Sequence, residues 1–93
     1  MDSNFSSSPD KKGSGREQSQ STATLMLHND DVNTFEFVME SLEELCDHSL
    51  LQAEQCAMIT HYKGKCEIKT GNPDDLKIVQ RELISRGLIV TME

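Results

Sequence analysis

What this chain lacks narrows its class first. No apolar stretch approaches the roughly 20 residues that cross a bilayer, and the start of the chain has no secretory apolar core. The expected location is therefore cytoplasmic. Cations are scarce: 9 Lys and Arg against 16 Asp and Glu leave a formal charge of -7. Nucleic acid calls for a basic stripe, and an anionic membrane surface for basic clusters, so neither is an expected partner. A cationic ligand or a basic protein suits this charge better. The three cysteines, Cys46, Cys56 and Cys66, are an odd number without a C-x-x-C pair. They make a poor disulfide framework and a poor zinc site, and read as reduced core thiols. No Ser or Cys stands in a recognisable nucleophile motif, and no glycine-rich phosphate loop is present. No enzymatic activity, metal or cofactor is expected. No internal repeat is found, and 93 residues leave room for one small domain.

The chain divides into two parts. Residues 1–23 are Ser-, Gln-, Lys- and Gly-rich, with little beyond Phe5 to bury, and are expected to be a disordered N-terminal arm. Residues 24–93 have globular composition. Thr24 to His28 is short, apolar and followed by a turn signal, which predicts a strand. After an Asx-rich loop, Asn33 or Thr34 caps a helix, with Glu36 at the capping-box position of Asn33. Phe35, Val38, Met39, Leu42, Leu45 and Cys46 form its apolar stripe, while Phe37 falls outside it.

Ser49 and Gln52 open a second helix. Its line of Leu50, Ala53, Ala57 and His61 ends at Gly64, which supplies a left-handed stop. Lys65 to Thr70 alternates like a half-buried strand. Asn72, Pro73, Asp74 and Asp75 start a third helix with the stripe Leu76, Val79, Leu83 and Ile84. Leu88 to Met92 closes the chain as a strand. The order βααβαβ predicts an α+β fold, a two-layer sandwich of a three-stranded antiparallel sheet against three helices.

The chemistry concentrates in two places. Asn29, Asp30 and Asp31 cluster where the first strand hands over to a helix. Such a cluster is either turn chemistry or a receiver for a cation. His61 lies in the last turn of the second helix, as either an edge histidine or a ligand. Asp30, Asp31 and His61, with His28 nearby, could hold a metal ion but lack a convincing fourth ligand. They could instead hold an ammonium group, whose three N–H donors need three converging acceptors. Asn29, an Asp carboxylate and a neutral imidazole at His61 supply them.

These residues resemble a family. Asn29-Asp30-Asp31, Glu36-Phe37-Val38, His61-Tyr62-x-Gly64-Lys65 and the closing Thr91-x-Glu93 are similar to the bacterial adaptor ClpS, over about Thr24 to Glu93. The resemblance implies a monomeric adaptor. It binds proteins whose N-terminal residue is Leu, Phe, Tyr or Trp and delivers them to a Clp-family AAA+ unfoldase and its protease. Asn29, Asp30, Asp31 and His61 then receive the substrate's α-amino group, with Asp31 the direct acid and Asp30 shaping the loop. Asn33, Phe35, Ala57, Thr60 and Leu88 line the side-chain pocket. Lys77 contacts the N-terminal domain of the unfoldase.

The chain departs from the family at Asn33-Thr34-Phe35, commonly Thr-Pro-Met, and at Ala57 and Thr60, commonly Met and Val. These changes imply a pocket that still rejects Ile and Val but ranks Leu, Phe, Tyr and Trp differently. The segment after Gly64 is also shorter than usual. A related alternative is a regulator of the unfoldase that no longer carries substrates.

Overall fold

The computed structural model describes residues 21–93; of the arm expected over 1–23, residues 1–20 lie outside the described residues, and Ala23 belongs to the first strand. The elements run β1 (Ala23–His28), α1 (Phe35–Leu45), α2 (Leu50–Lys63), β2 (Lys65–Gly71), α3 (Pro73–Ser85) and β3 (Ile89–Met92). The three strands form one antiparallel sheet in the order β2-β1-β3. The first strand is thus central, and its Leu25, Met26 and Leu27 are all buried. α2 lies along β2, α3 lies against β1 and β3, and α1 packs on α2 and α3. The architecture is the expected α+β sandwich.

The core is built from aliphatic side chains. Leu25 and Leu27 of β1 meet Ile68 and Val90 from the flanking strands. Leu42, Ala53, Leu76 and Leu83 close it from the helices. The inner line of α2 is Ala53, Ala57 and Thr60, all small, and small residues let a helix approach its neighbours closely. Pairing of β1 with β2 carries an irregularity: Leu25 faces Lys69 and Met26 faces Glu67, so Ile68 has no opposite residue.

Several local expectations are corrected. Thr34, not Asn33, caps α1, its hydroxyl accepting from the Phe37 amide at 3.1 Å. Glu36 therefore occupies no capping-box position, because the third helical residue is Phe37. Phe35 is the first helical residue and is 37% exposed, whereas Phe37 packs against the core. A helical side chain leans toward the N-terminus, and at the first turn there is no preceding turn to cover. Phe35 therefore reaches beyond the core, and Phe37 takes the inward place.

Leu50 and Ile84 are exposed as well. Leu50 opens α2, and the stripe of α3 narrows to Leu76 and Leu83, with Val79 partly buried. Cys56 is only half-buried, and all three thiols are free. β1 begins one residue early at Ala23, and β3 begins one residue late at Ile89. The expected ends of α2 and α3 hold. Ser49 and Gln52 form a reciprocal capping box, Gly64 ends α2 in the left-handed region, and Asn72 caps α3 with Pro73 behind it.

Candidate functional site

The two polar clusters of the sequence lie 30 residues apart but are tied by one backbone hydrogen bond. The Asn29 amide donates to the Gly64 carbonyl at 2.9 Å, which fixes the end of β1 against the end of α2. His61, one turn before Gly64, thereby stands beside the Asx loop.

Within that loop the three Asx residues have separate tasks. Asp30 Oδ1 accepts from the Val32 amide at 2.8 Å and the Asn33 amide at 2.7 Å. Its Oδ2 accepts from Asn33 Nδ2 at 3.1 Å. Asn33 Nδ2 also donates to the Gly87 carbonyl at 3.0 Å, anchoring the loop to the turn between α3 and β3. Partial burial works to raise the Asp30 carboxyl, but the donors of Asn33 and Val32 outweigh it and hold the group below its ordinary value. A carboxylate so committed builds the loop. Asn29 and Asp31, both exposed, are left facing outward on it.

A cavity of about 350 Å³ opens beneath this loop. Asn29, Asp31 and His61 stand among its polar residues, and Leu27, Phe35, Val38 and Ala57 supply its apolar surface. Thr60 completes it, 5% exposed, its hydroxyl donating to the Cys56 carbonyl at 2.8 Å. The His61 ring stands edge-on to Tyr62, with centroids 5.1 Å apart. Chemically this is an apolar well with acceptors at one end. It offers no phosphate-binding amide nest, and among the described residues no three His, Cys, Asp or Glu side chains gather to hold a metal ion.

Eight of the ten residues singled out in the sequence line this one cavity: Asn29, Asp30, Asp31, Asn33, Phe35, Ala57, Thr60 and His61. Two do not. Leu88 is 3% exposed and belongs to the central core. It follows Gly87, whose left-handed backbone (φ 93°) turns the chain, and its amide returns to the Leu83 carbonyl at 3.2 Å. That turn directs Leu88 inward. Lys77 stands on α3 beside a second, shallow hollow formed with Gln80, Arg81 and Ile84.

Two lining residues were not anticipated, Leu27 and Val38, and His28, weighed only as a possible metal ligand, lines the cavity too. His28 is fixed by a 2.7 Å hydrogen bond between its Nε2 and the Thr91 hydroxyl on β3. Val38 could have been found, because it falls one turn after Phe35 on the same helical face.

Comparison with known proteins agrees with this geometry. The family model for ATP-dependent Clp protease adaptor protein ClpS matches residues 18–90. The ATP-dependent Clp protease adapter protein ClpS of Pectobacterium carotovorum is 31% identical over 82 residues, covering 82% of this chain and 77% of its own. The protein of the same name from Vibrio cholerae serotype O1 is 33% identical over 75 residues, covering 74% and 71%. Among solved structures, Agrobacterium tumefaciens ClpS2 bound to L-phenylalaninamide superposes with a TM-score of 0.67 at 24% identity, over 77% of this chain and 94% of that one. The fold is therefore shared with a ClpS protein, and by the match of its sequence the chain belongs to the ClpS family of Clp protease adaptors.

Proposed function

We propose that this adaptor captures the N-terminus of a protein substrate, holding the α-ammonium at Asn29, Asp31 and His61 and the first side chain in the adjoining apolar well. The observation that carries this reading is the meeting of polar acceptors and an apolar cavity at one place. A ClpS protein of the same fold binding L-phenylalaninamide, an amino acid with a free amine and a blocked carboxyl, supports it.

A protonated amine brings three N–H donors. The Asn29 side-chain carbonyl, the Asp31 carboxylate and a neutral His61 nitrogen accept one each. Asp31 offsets the desolvation of the cation, and Asp30 holds the loop. Burying a Leu or Phe side chain contributes about 1.5–3 kcal/mol, and charge-assisted hydrogen bonds add about 1.5–3 kcal/mol each. After the cost of association, the expected Kd is on the order of micromolar.

In the well, Phe35 narrows one edge, against β-branched side chains. Ala57 leaves a deeper floor than Met would, so the ranking among Leu, Phe, Tyr and Trp shifts. The captured protein is then delivered to a Clp-family AAA+ unfoldase. The basic hollow at Lys77 and Arg81 is the surface offered to the unfoldase N-terminal domain. No covalent chemistry is required of the chain.

The test is a set of short peptides differing only at residue one (Leu, Phe, Tyr, Trp, Ile, Met), each with a free and an acetylated amine. Free-amine peptides with Leu, Phe, Tyr or Trp first should bind at micromolar Kd. Ile should bind at least tenfold more weakly, and acetylation should abolish binding because it removes the charge and two donors. Equal affinity for free and acetylated peptides would sink the reading. No binding to any peptide would favour the regulator that carries no substrate.

A further inference from the structure

Two consecutive carbonyls of β2, beside its irregular pairing with β1, accept from side chains. His48 Nε2 donates to the Ile68 carbonyl at 2.7 Å. The preceding carbonyl, of Glu67, accepts from two thiols: Cys66 Sγ at 3.3 Å and Cys56 Sγ at 3.7 Å. One oxygen therefore draws a thiol from α2 and a thiol from β2 to the same point.

Their surroundings differ. Cys66 is buried, and burial together with the neighbouring Cys56 thiol pushes it up to about 12. Cys56 is only half-buried and open to a small solute. Cys46, the remaining thiol, is buried beside Asp47 and Lys69, and burial pushes it up to about 11. One accessible thiol and one inaccessible thiol gathered on the same carbonyl oxygen are the arrangement of an attacking and a resolving cysteine.

We propose that Cys56 and Cys66 are a reversible oxidation site that closes to a disulfide between α2 and β2 on exposure to hydrogen peroxide. The Cys56 thiolate attacks the peroxide O–O bond, forming Cys56 sulfenic acid and releasing hydroxide, which takes up the proton Cys56 gave up. Cys66 sulfur then attacks the sulfenic sulfur. Its proton leaves with the hydroxyl as a second water, and the S–S bond forms. Two thiols are oxidised by two electrons, and one peroxide is reduced to two waters. A dithiol reductant reverses the step.

The site adjoins the cavity floor. The Cys56 carbonyl holds the Thr60 hydroxyl, and Ala57 is the next residue. The disulfide thus fixes the floor-bearing turn of α2 to the sheet. This inference rests on the thiol geometry and is independent of whether the cavity takes an N-terminus.

The test uses the full chain in its folded state. It is treated with hydrogen peroxide, then unfolded in urea, alkylated with N-ethylmaleimide and weighed intact, and digested without reduction. The expected product is a monomer two hydrogens lighter, alkylated at Cys46 alone, with the Cys56 and Cys66 peptides linked. Dithiothreitol should restore three alkylatable thiols. In Cys66→Ser, Cys56 sulfenic acid should persist and be trapped by dimedone. Three free thiols after peroxide, a bond through Cys46, or stable oxygen adducts on Cys56 beside a free Cys66 would each overturn the proposal.

Discussion

Asp30 shows how one side chain can be read correctly in kind yet need structure to be read in role. Composition places a carboxylate in the loop; only the three donors gathered on it show that its oxygens are committed to building the loop. Asp30→Asn keeps one acceptor but sets an amide N–H against Asn33 Nδ2. At neutral pH the expected cost is about 1–2 kcal/mol of unfolding free energy, with peptide affinity reduced several-fold because the loop carrying Asn29 and Asp31 loosens. The pH dependence has a definite sign. The Asp30 carboxyl is held below its ordinary 3.8 in the folded chain, so its contribution is complete above that value and is lost as pH falls through the lower folded one. Urea unfolding of both proteins should give a constant difference near neutrality that shrinks below about pH 3.8. A difference that grows on acidification would contradict the assignment. The two phenylalanines carry the opposite lesson. Periodicity places Phe35 in the stripe, because it does not register that the first helical residue has no turn beneath it.

At the scale of elements, α2 brings Ala57, Thr60 and His61 to the site, and its end is fixed by Gly64. The backbone there has φ 95°, and a Cβ would meet nothing within 4 Å. Any penalty for a side chain is therefore conformational rather than steric. Gly64→Ala should cost about 1–2 kcal/mol, and Gly64→Asn less, since Asn tolerates this region. Because the Gly64 carbonyl holds the Asn29 amide, the Ala variant should also lose peptide affinity. Thermal unfolding and peptide titration of both variants check this; unchanged stability would mean that the helix end adapts without cost. The elements themselves were legible. Ser49 with Gln52, Asn72 with Pro73, and Gly64 are local signals, and local signals need only a few neighbouring residues to act. Strand order was not legible, because pairing is non-local. The run of buried residues in β1 hints at a central strand, but the sequence pattern alone does not exclude an edge.

For the whole molecule the decisive fact is how little the core contains. Its large, fully buried side chains are Leu25, Leu27, Leu42, Leu76 and Leu83, with no aromatic ring among them. At about 0.05–0.15 kcal/mol per residue, a domain of this size holds only several kcal/mol of stability. Leu83→Ala leaves a cavity in the core, outside the residues that line the candidate site, and should cost about 2–5 kcal/mol, a large fraction of the total. That makes the variant a sensitive reporter of ligand. A peptide that binds only the folded chain adds RT ln(1 + [L]/Kd), about 2.7 kcal/mol at 100 times Kd. The urea midpoint of Leu83→Ala should therefore drop well below the parent's. A free-amine Phe peptide should return much of that loss, while the acetylated peptide at the same concentration should return none. Leu83 does not line the cavity, so its loss should leave the Kd of the folded fraction unchanged. The rescue thus separates the two properties that the sequence entangles, the stability of a small aliphatic core and the chemistry of the loop and helix end that it holds together. Equal rescue by both peptides would show that the ligand acts through the apolar well alone, and would remove the amine from the recognition.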